Sequence, residues 1–286
     1  TRICAEMIWS GAIGDITEVH AWTNRPIWPQ GITRIPPAED PPSTLDWDSW
    51  LGIAEWRPWT SGGDGYPNRY GYFYQPFNWR GFYDFGCGAL GDMACHVLGA
   101  PNMALLLGQP SGVECVSQEG KNDLTFPVRS TIRFDFPARR NMPPVTVYWH
   151  DGAKGLPASV WPKDLPREER MGDLAPGMTI PGEAPPARIV RPGPPAPPLD
   201  PADPAGAAAA AKAGQETNSS NSGVLYIGAK GYMTTGEYGG SPRILPMSRM
   251  ADYRYPPQVL PRSPETYSDW VRACKGGDPA ASNFDV

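Results

Sequence analysis

The sequence predicts an α+β domain built on an open, mainly antiparallel β-sheet with helices packed on one face. Three observations predict it. Short segments that alternate apolar and polar residues follow one another across turn signals rather than across regular crossover helices. Helical periodicity is confined to the beginning, the middle and the end of the chain. The 286 residues include 11 Trp and 12 Tyr beside 32 Gly and 36 Pro. Disordered chains are poor in aromatic residues, so the chain divides into a packed part and a Pro-rich part.

The elements follow in order. Ile3, Met7 and Ile8 share one helical face, and Gly11 is placed to end that helix. Ile16 to Thr23 alternates as a half-buried strand. A Trp- and Pro-rich stretch from Pro26 to Trp59 has no lasting period. It holds one short helix, capped by Ser43 or Thr44 and stopped at Gly52. Residues 61–76 read as a loop. A helix is expected from Gly88 to Leu107, broken near Gly99-Ala100-Pro101. Strands follow at 112–118, 128–136 and 144–150. After the Pro-rich part come two more strands, Gly223 to Gly228 and Gly231 to Thr235, joined by a tight turn. A last amphipathic helix carries Tyr267, Trp270, Val271 and Cys274 and ends at Gly276-Gly277.

Residues 152–222 carry Pro at nearly every second or third position, with an Ala tract at 207–211. This stretch holds too little apolar surface to offset its ordering entropy and reads as a flexible insertion. The packed domain is therefore expected over 1–151 and 223–286, and deletion of 163–215 should leave it folded. A role for the insertion as a ligand of a proline-recognising partner is weaker, since its Pro spacing is irregular. The chain opens on Thr1 inside a helix and closes at 282–286 on what reads as a cap and first turn. An internal piece of a longer protein is the expectation.

The net charge of −5 argues against a module that binds nucleic acid by neutralising phosphates. Five cysteines, at 4, 87, 95, 115 and 274, form no CxxC pair and no complete disulfide framework. No apolar run approaches the roughly 20 residues that span a membrane.

Gly86-Cys87-Gly88-Ala89-Leu90-Gly91 matches the dinucleotide fingerprint GxGxxG, with Glu114 about 20 residues on. The match is rejected. The residues before it are too polar for a strand buried on both faces. Asp92 would also set a carboxylate where the pyrophosphate sits. The stronger signal is Asp92 with His96, at i and i+4 on one helix face. A carboxylate beside an imidazole fixes its tautomer and raises its basicity, which suits a general acid/base. Small neighbours, Gly88, Ala89, Gly91 and Ala94, would let a ligand approach that face. The competing reading is a helix-capping Asp92 and a half-buried structural His96. Cys87 and Cys95 are spaced for no standard metal site, and Cys95 points about 100° away from His96 on the helix.

These residues carry a family resemblance. Ser10-Gly11-Ala12-Ile13-Gly14-Asp15-Ile16-Thr17-Glu18-Val19, Trp22-Thr23-Asn24-Arg25-Pro26, Phe77-Asn78-Trp79-Arg80-Gly81, Gly88 to His96 and Trp270 to Gly277 resemble the C-terminal domain of the glucose–fructose oxidoreductase / inositol dehydrogenase (Gfo/Idh/MocA) family, in a bacterial branch. The resemblance implies a parent enzyme with an N-terminal Rossmann domain, absent from this chain, that binds NAD or NADP. It implies hydride transfer on a sugar, cyclitol or related polyol, with Asp92 and His96 catalytic and no metal. The family's Glu-Lys-Pro lysine motif does not occur here, so the chain by itself is expected to be inactive. Asn24, Arg25, Trp79 and Arg80 are the expected substrate contacts. A homo-oligomer formed through the open sheet is expected, and a purely oligomerising module with a vestigial site is the alternative. The resemblance leaves the compartment open between bacterial cytoplasm and periplasm.

Overall fold

The computed structural model describes residues 1–63, 71–152, 155–166, 169–170, 222–262 and 266–280. In chain order they form α1 (Arg2–Trp9), β1 (Ile16–Trp22), α2 (Trp47–Leu51), a 3-10 turn (Asn78–Gly81), α3 (Gly88–Val97), α4 (Gly99–Leu105), β2 (Gly112–Glu119), β3 (Arg129–Phe136), β4 (Val145–His150), β5 (Gly223–Gly228), β6 (Gly231–Gly236), β7 (Arg243–Leu245), α5 (Met247–Ala251) and α6 (Thr266–Cys274). The fold is α+β. Its seven strands form one mixed sheet in the order β2-β3-β4-β1-β5-β6-β7. Five of the six pairings are antiparallel, and β1 with β4 is the parallel one.

The period-2 patterns sort the two faces. Val19, Ala21, Val147, Trp149, Tyr226 and Met233 point to the helix side. There they meet Cys4, Met7 and Ile8 of α1, Met93 and Val97 of α3, and Ala104 and Leu105 of α4 in the main core. Ile132 and Phe134 of β3 pack on the same core. The apolar residues Ile132, Phe134, Val147 and Trp149 of β3 and β4 thus serve the helix side. On the far face the same strands carry Thr131, Arg133, Asp135, Thr146, Tyr148 and His150, linked by Arg133–Glu114 and Arg133–Asp135 ion pairs.

Helix boundaries have local causes. Pro101 has no N–H to give the carbonyl of Val97, so α3 ends there, and Pro101 falls in the first turn of α4, where that donor is not needed. α2 is capped by Asp46, not by Ser43 or Thr44. The Asp46 carboxylate accepts from the Ser49 backbone N–H at 3.0 Å and from the Ser49 hydroxyl at 2.7 Å. The last helix keeps its expected position but turns outward: Trp270 and Val271 are exposed while Asp269 is buried and bonds Arg272 at 2.7 Å. β7 and α5 carry no sequence expectation, being too short to show a period. The expected turn at 282–286 lies outside the described residues.

Two further clusters organise the irregular chain. Trp47, Leu51, Trp59, Phe73, Tyr74 and Phe82 form a separate aromatic core for the Trp-rich stretch. Leu156, Trp161 and Leu165 pack on Trp22, Leu225 and Leu245, covering the β1–β5–β7 part of the far face. Trp161 meets Trp22 edge-on with centroids 6.0 Å apart. The packed chain therefore reaches past the expected boundary at 151. Local composition hid this, because three well-spaced apolar side chains suffice to anchor a Pro-rich segment; 171–221 lie outside the described residues. Of the three covering side chains, removing 163–215 would take away Leu165 and leave Leu156 and Trp161 in place. Leu165→Ala should lower the free energy of unfolding by about 2–5 kcal/mol in a denaturant titration. A change within about 0.5 kcal/mol would show that the segment does not seal the sheet.

Candidate functional site

α3 is seated by its glycines. A Cβ on Gly86 would lie 2.5 Å from the carbonyl oxygen of Arg80, and one on Gly88 (φ +62°) would lie 2.5 Å from the Phe126 ring. One on Gly91 would collide with the Cys87 side chain. The segment before the run is a 3-10 turn and a bridge between Phe82 and Thr125 rather than a strand. The glycines thus bring the helix against the Arg80 turn and Phe126, and this run is not the turn from a strand into a helix that a dinucleotide cradle needs.

Asp92 is bound to Arg80. The Arg80 Nε donates to Asp92 Oδ1 at 3.1 Å, and one Nη donates to the Phe77 carbonyl at 3.2 Å. The guanidinium stacks over Phe77 at 4.1 Å and Trp79 at 4.6 Å, and the Trp79 indole N–H donates to the Pro76 carbonyl at 3.0 Å. The expectation that Asp92 orients His96 meets a competitor: a permanent cation holds a carboxylate more strongly than a neutral imidazole does. No hydrogen bond joins Asp92 to His96 among the described residues. His96 is exposed, and its ring meets the edge of Tyr238 with centroids 5.3 Å apart.

Tyr238 was not expected. It lies in the β6–β7 turn, far along the chain from α3. Thr1 Oγ1 donates to the Tyr238 carbonyl at 3.1 Å and the Thr1 nitrogen to the Gly239 carbonyl at 2.9 Å, while Gly239 (φ +68°) presses on Ala100. The hydroxyl of Tyr238 titrates above the usual tyrosine range, first through burial and then through a hydrogen bond and charge from Glu237; the Arg25 cation acts in the opposite direction. Arg25 lies in the segment after β1. Its Nη1 donates to Asn24 Oδ1 at 2.6 Å. The backbone here is tied to β4: the Thr23 N–H donates to the His150 carbonyl at 2.9 Å, and the Gly152 N–H to the Arg25 carbonyl at 2.6 Å.

Of the expected residues, Trp79, Arg80 and Asp92 form one contact group. His96 meets Tyr238, and Asn24 is bonded to Arg25. α3 carries both Asp92 and His96, one turn apart, and so joins the Arg80 pair to the Tyr238 contact. Beside it a cavity of about 370 Å³ is lined by Cys95, Leu98, Asn102 and Phe134. A larger one, about 550 Å³, lies at the opposite end of β1, among Trp9, Asp15, Arg140 and Lys230. Among the described residues no group of three or more His, Cys, Asp and Glu gathers to hold a metal ion, and no helix is long and apolar enough to cross a membrane. No family model matches the chain, and no curated protein sequence matches it.

The glycine geometry is open to test. Gly86→Ala should destabilise by about 1–3 kcal/mol, because the Arg80 backbone must move. Gly99→Ala, where nothing lies within 4 Å of the new methyl, should be neutral or gain up to about 1 kcal/mol. Equal melting temperatures for the two variants would remove the close-approach explanation.

Proposed function

We propose that this chain is the substrate-holding and proton-transferring half of an NAD(P)-dependent oxidoreductase acting on a sugar, cyclitol or related polyol. The observation that carries the reading is the arrangement on α3. An ion-paired carboxylate, Asp92, precedes by one turn an exposed imidazole, His96, whose ring meets the edge of the Tyr238 ring. A polyol presents several hydroxyls on an apolar ring, which suits donors and acceptors beside aromatic surface such as Trp79. His96 takes up the proton of the reacting hydroxyl, with Tyr238 against its ring. Arg80 and Asp92 hold the neighbouring hydroxyls, and Arg25 with Asn24 closes the other side. Hydride acceptance belongs to the nicotinamide, and since the glycine run before α3 does not fit a dinucleotide, its binding is assigned to a Rossmann domain on another part of the parent protein. The resemblance to the Gfo/Idh/MocA family supports this division of labour.

Titration calorimetry of this chain with NAD and NADP should show no micromolar binding. In the full-length gene product, His96→Asn should lower NAD(P)-linked turnover on a polyol panel by about 10²–10⁴-fold at unchanged folded fraction. Tyr238→Phe should lower it less and should shift the alkaline limb of the pH profile. Full turnover of the His96 variant, normalised to folded protein, would refute the assignment.

A further inference from the structure

The far face of the sheet holds a second titratable cluster, remote from Asp92. Glu18, His20, His150 and Thr131 form one unbranched chain of hydrogen bonds across β1, β4 and β3. Glu18 Oε1 lies 2.8 Å from His20 Nε2, His20 Nδ1 lies 3.0 Å from His150 Nε2, and His150 Nδ1 lies 3.3 Å from Thr131 Oγ1. Both imidazoles are buried, and they stack with centroids 5.3 Å apart. Tyr148 stacks on His20 at 4.9 Å.

We propose that this chain is a proton-sensitive clasp on the β1–β4 seam, which stays closed with one added proton and opens with the second. The proton count follows from the geometry. Two neutral rings carry two protons on four nitrogens: His20 Nε2–H donates to Glu18, His150 Nε2–H donates to His20 Nδ1, and the Thr131 hydroxyl donates to His150 Nδ1. One proton from solvent can enter at His150 Nδ1, where Thr131 then accepts, while the proton at the 3.0 Å link passes to His20 Nδ1; the link survives, the cation is the ring bonded to Glu18, and His150 stays neutral. A fourth proton sets N–H against N–H at that link and places two stacked cations in a buried site.

The surroundings offer charge compensation for one added proton but not for two. Glu18 is the one carboxylate bonded to the pair. From β4 comes the neutral Tyr148. From β3 come Arg133 and Asp135, already paired with each other and with Glu114 of β2, and Arg129, paired with Glu119. β5 presents Leu225 opposite His20, and the covering segment presents Trp161 against Trp22. Consistently, burial first and then the His20 charge push the His150 imidazole down to about 4.

The seam is where an opening would matter. β2–β3–β4 on one side and β1–β5–β6–β7 on the other meet only there. The bonds from Thr23 to the His150 carbonyl and from Gly152 to the Arg25 carbonyl pass the change on to the segment bearing Asn24 and Arg25. That last step rests on the proposed active site; the clasp does not.

The sign is fixed by linkage. His150 is deprotonated in the fold down to about pH 4, whereas an unfolded histidine takes its proton near 6.5. The stability it lends is complete above about pH 6.5 and is lost as the pH falls from there through about 4. The folded-to-unfolded ratio should drop roughly 10²-fold over this window on account of His150. The chain has three histidines, so imidazole nitrogen NMR of the whole chain resolves each, with exposed His96 as the reference. The expected result is a coupled titration of His20 and His150 in two separate steps, the second at about 4. In parallel, His150→Gln should flatten the acid loss of stability that the unsubstituted chain shows in urea titrations. Independent titration of His20 and His150 near 6.5 overturns the clasp, and this readout needs no variant. Parallel pH–stability curves for the unsubstituted chain and His150→Gln overturn it too.

Discussion

The parallel contact between β1 and β4 is the constraint on which the rest of this molecule depends. Parallel neighbours cannot be joined by a tight turn, so the chain between them must leave the sheet and return. Here the excursion carries the aromatic segment, α3, α4 and the β2–β3 ribbon before β4 comes back beside β1. α3 and α4 lie on one face because the excursion crosses it, and both β1 and β4 must therefore be apolar on that side. Val19↔Val147 and Ala21↔Trp149 are the resulting neighbours. A slip of one residue at this contact would turn Val147 and Trp149 away from the helices and bring His150 into the apolar core.

The aromatic segment shows how an irregular stretch can be ordered without joining the sheet. Its Trp and Phe residues form their own small core, and the rings meet at tilted or edge-on angles rather than in one continuous stack. Trp47 and Trp50 are the stacked exception. The Trp47 indole N–H donates to the Arg57 carbonyl at 2.7 Å, and Arg57 pairs with Asp84 and lies over Phe85. This core ends at Phe82 and Phe85, and the Arg80 turn lies between Tyr74 and those two rings in sequence. The abundance of Trp that looks unusual in composition thus has a local purpose next to the candidate site.

Most strands were legible because each buries one face, and alternation records that directly: β1 and β4 are examples. β7 was not, since three residues between Pro242 and Pro246 cannot display a period. The direction of β4 relative to β1 was not legible either, because alternation is the same in parallel and antiparallel pairs. At the candidate site, Asp92, His96 and Arg80 stand out by residue type and spacing. Their partnerships do not. Spacing on a helix shows which side chains share a face, but the competition between Arg80 and His96 for one carboxylate depends on where the preceding turn folds back. Tyr238 sits beyond the Pro-rich stretch, and no local pattern ties it to α3. Leu156, Trp161 and Leu165 were obscured by the prolines between them, since composition averages over the few residues that matter.

The attachment of the extended segment after α5 has a consequence for which substitutions the chain can absorb. Residues 253–262 form neither helix nor strand. Glu6 of α1 ties them down: its Oε1 accepts the backbone N–H groups of Val259 and Leu260, each at 2.8 Å, while Tyr253 and Leu260 pack on the main core. The same carboxylate pairs with Arg262, which holds its titration down to about 2. Backbone N–H groups are supplied by every residue except proline. The letter at 259, whose side chain is exposed, is therefore nearly interchangeable, while much of the information that fixes the path there is stored some 250 positions earlier, in an acidic residue. Sequence drift and structural drift are partly decoupled here: position 259 could be rewritten with little change of course, whereas a change at Glu6 would loosen the strap from a distance.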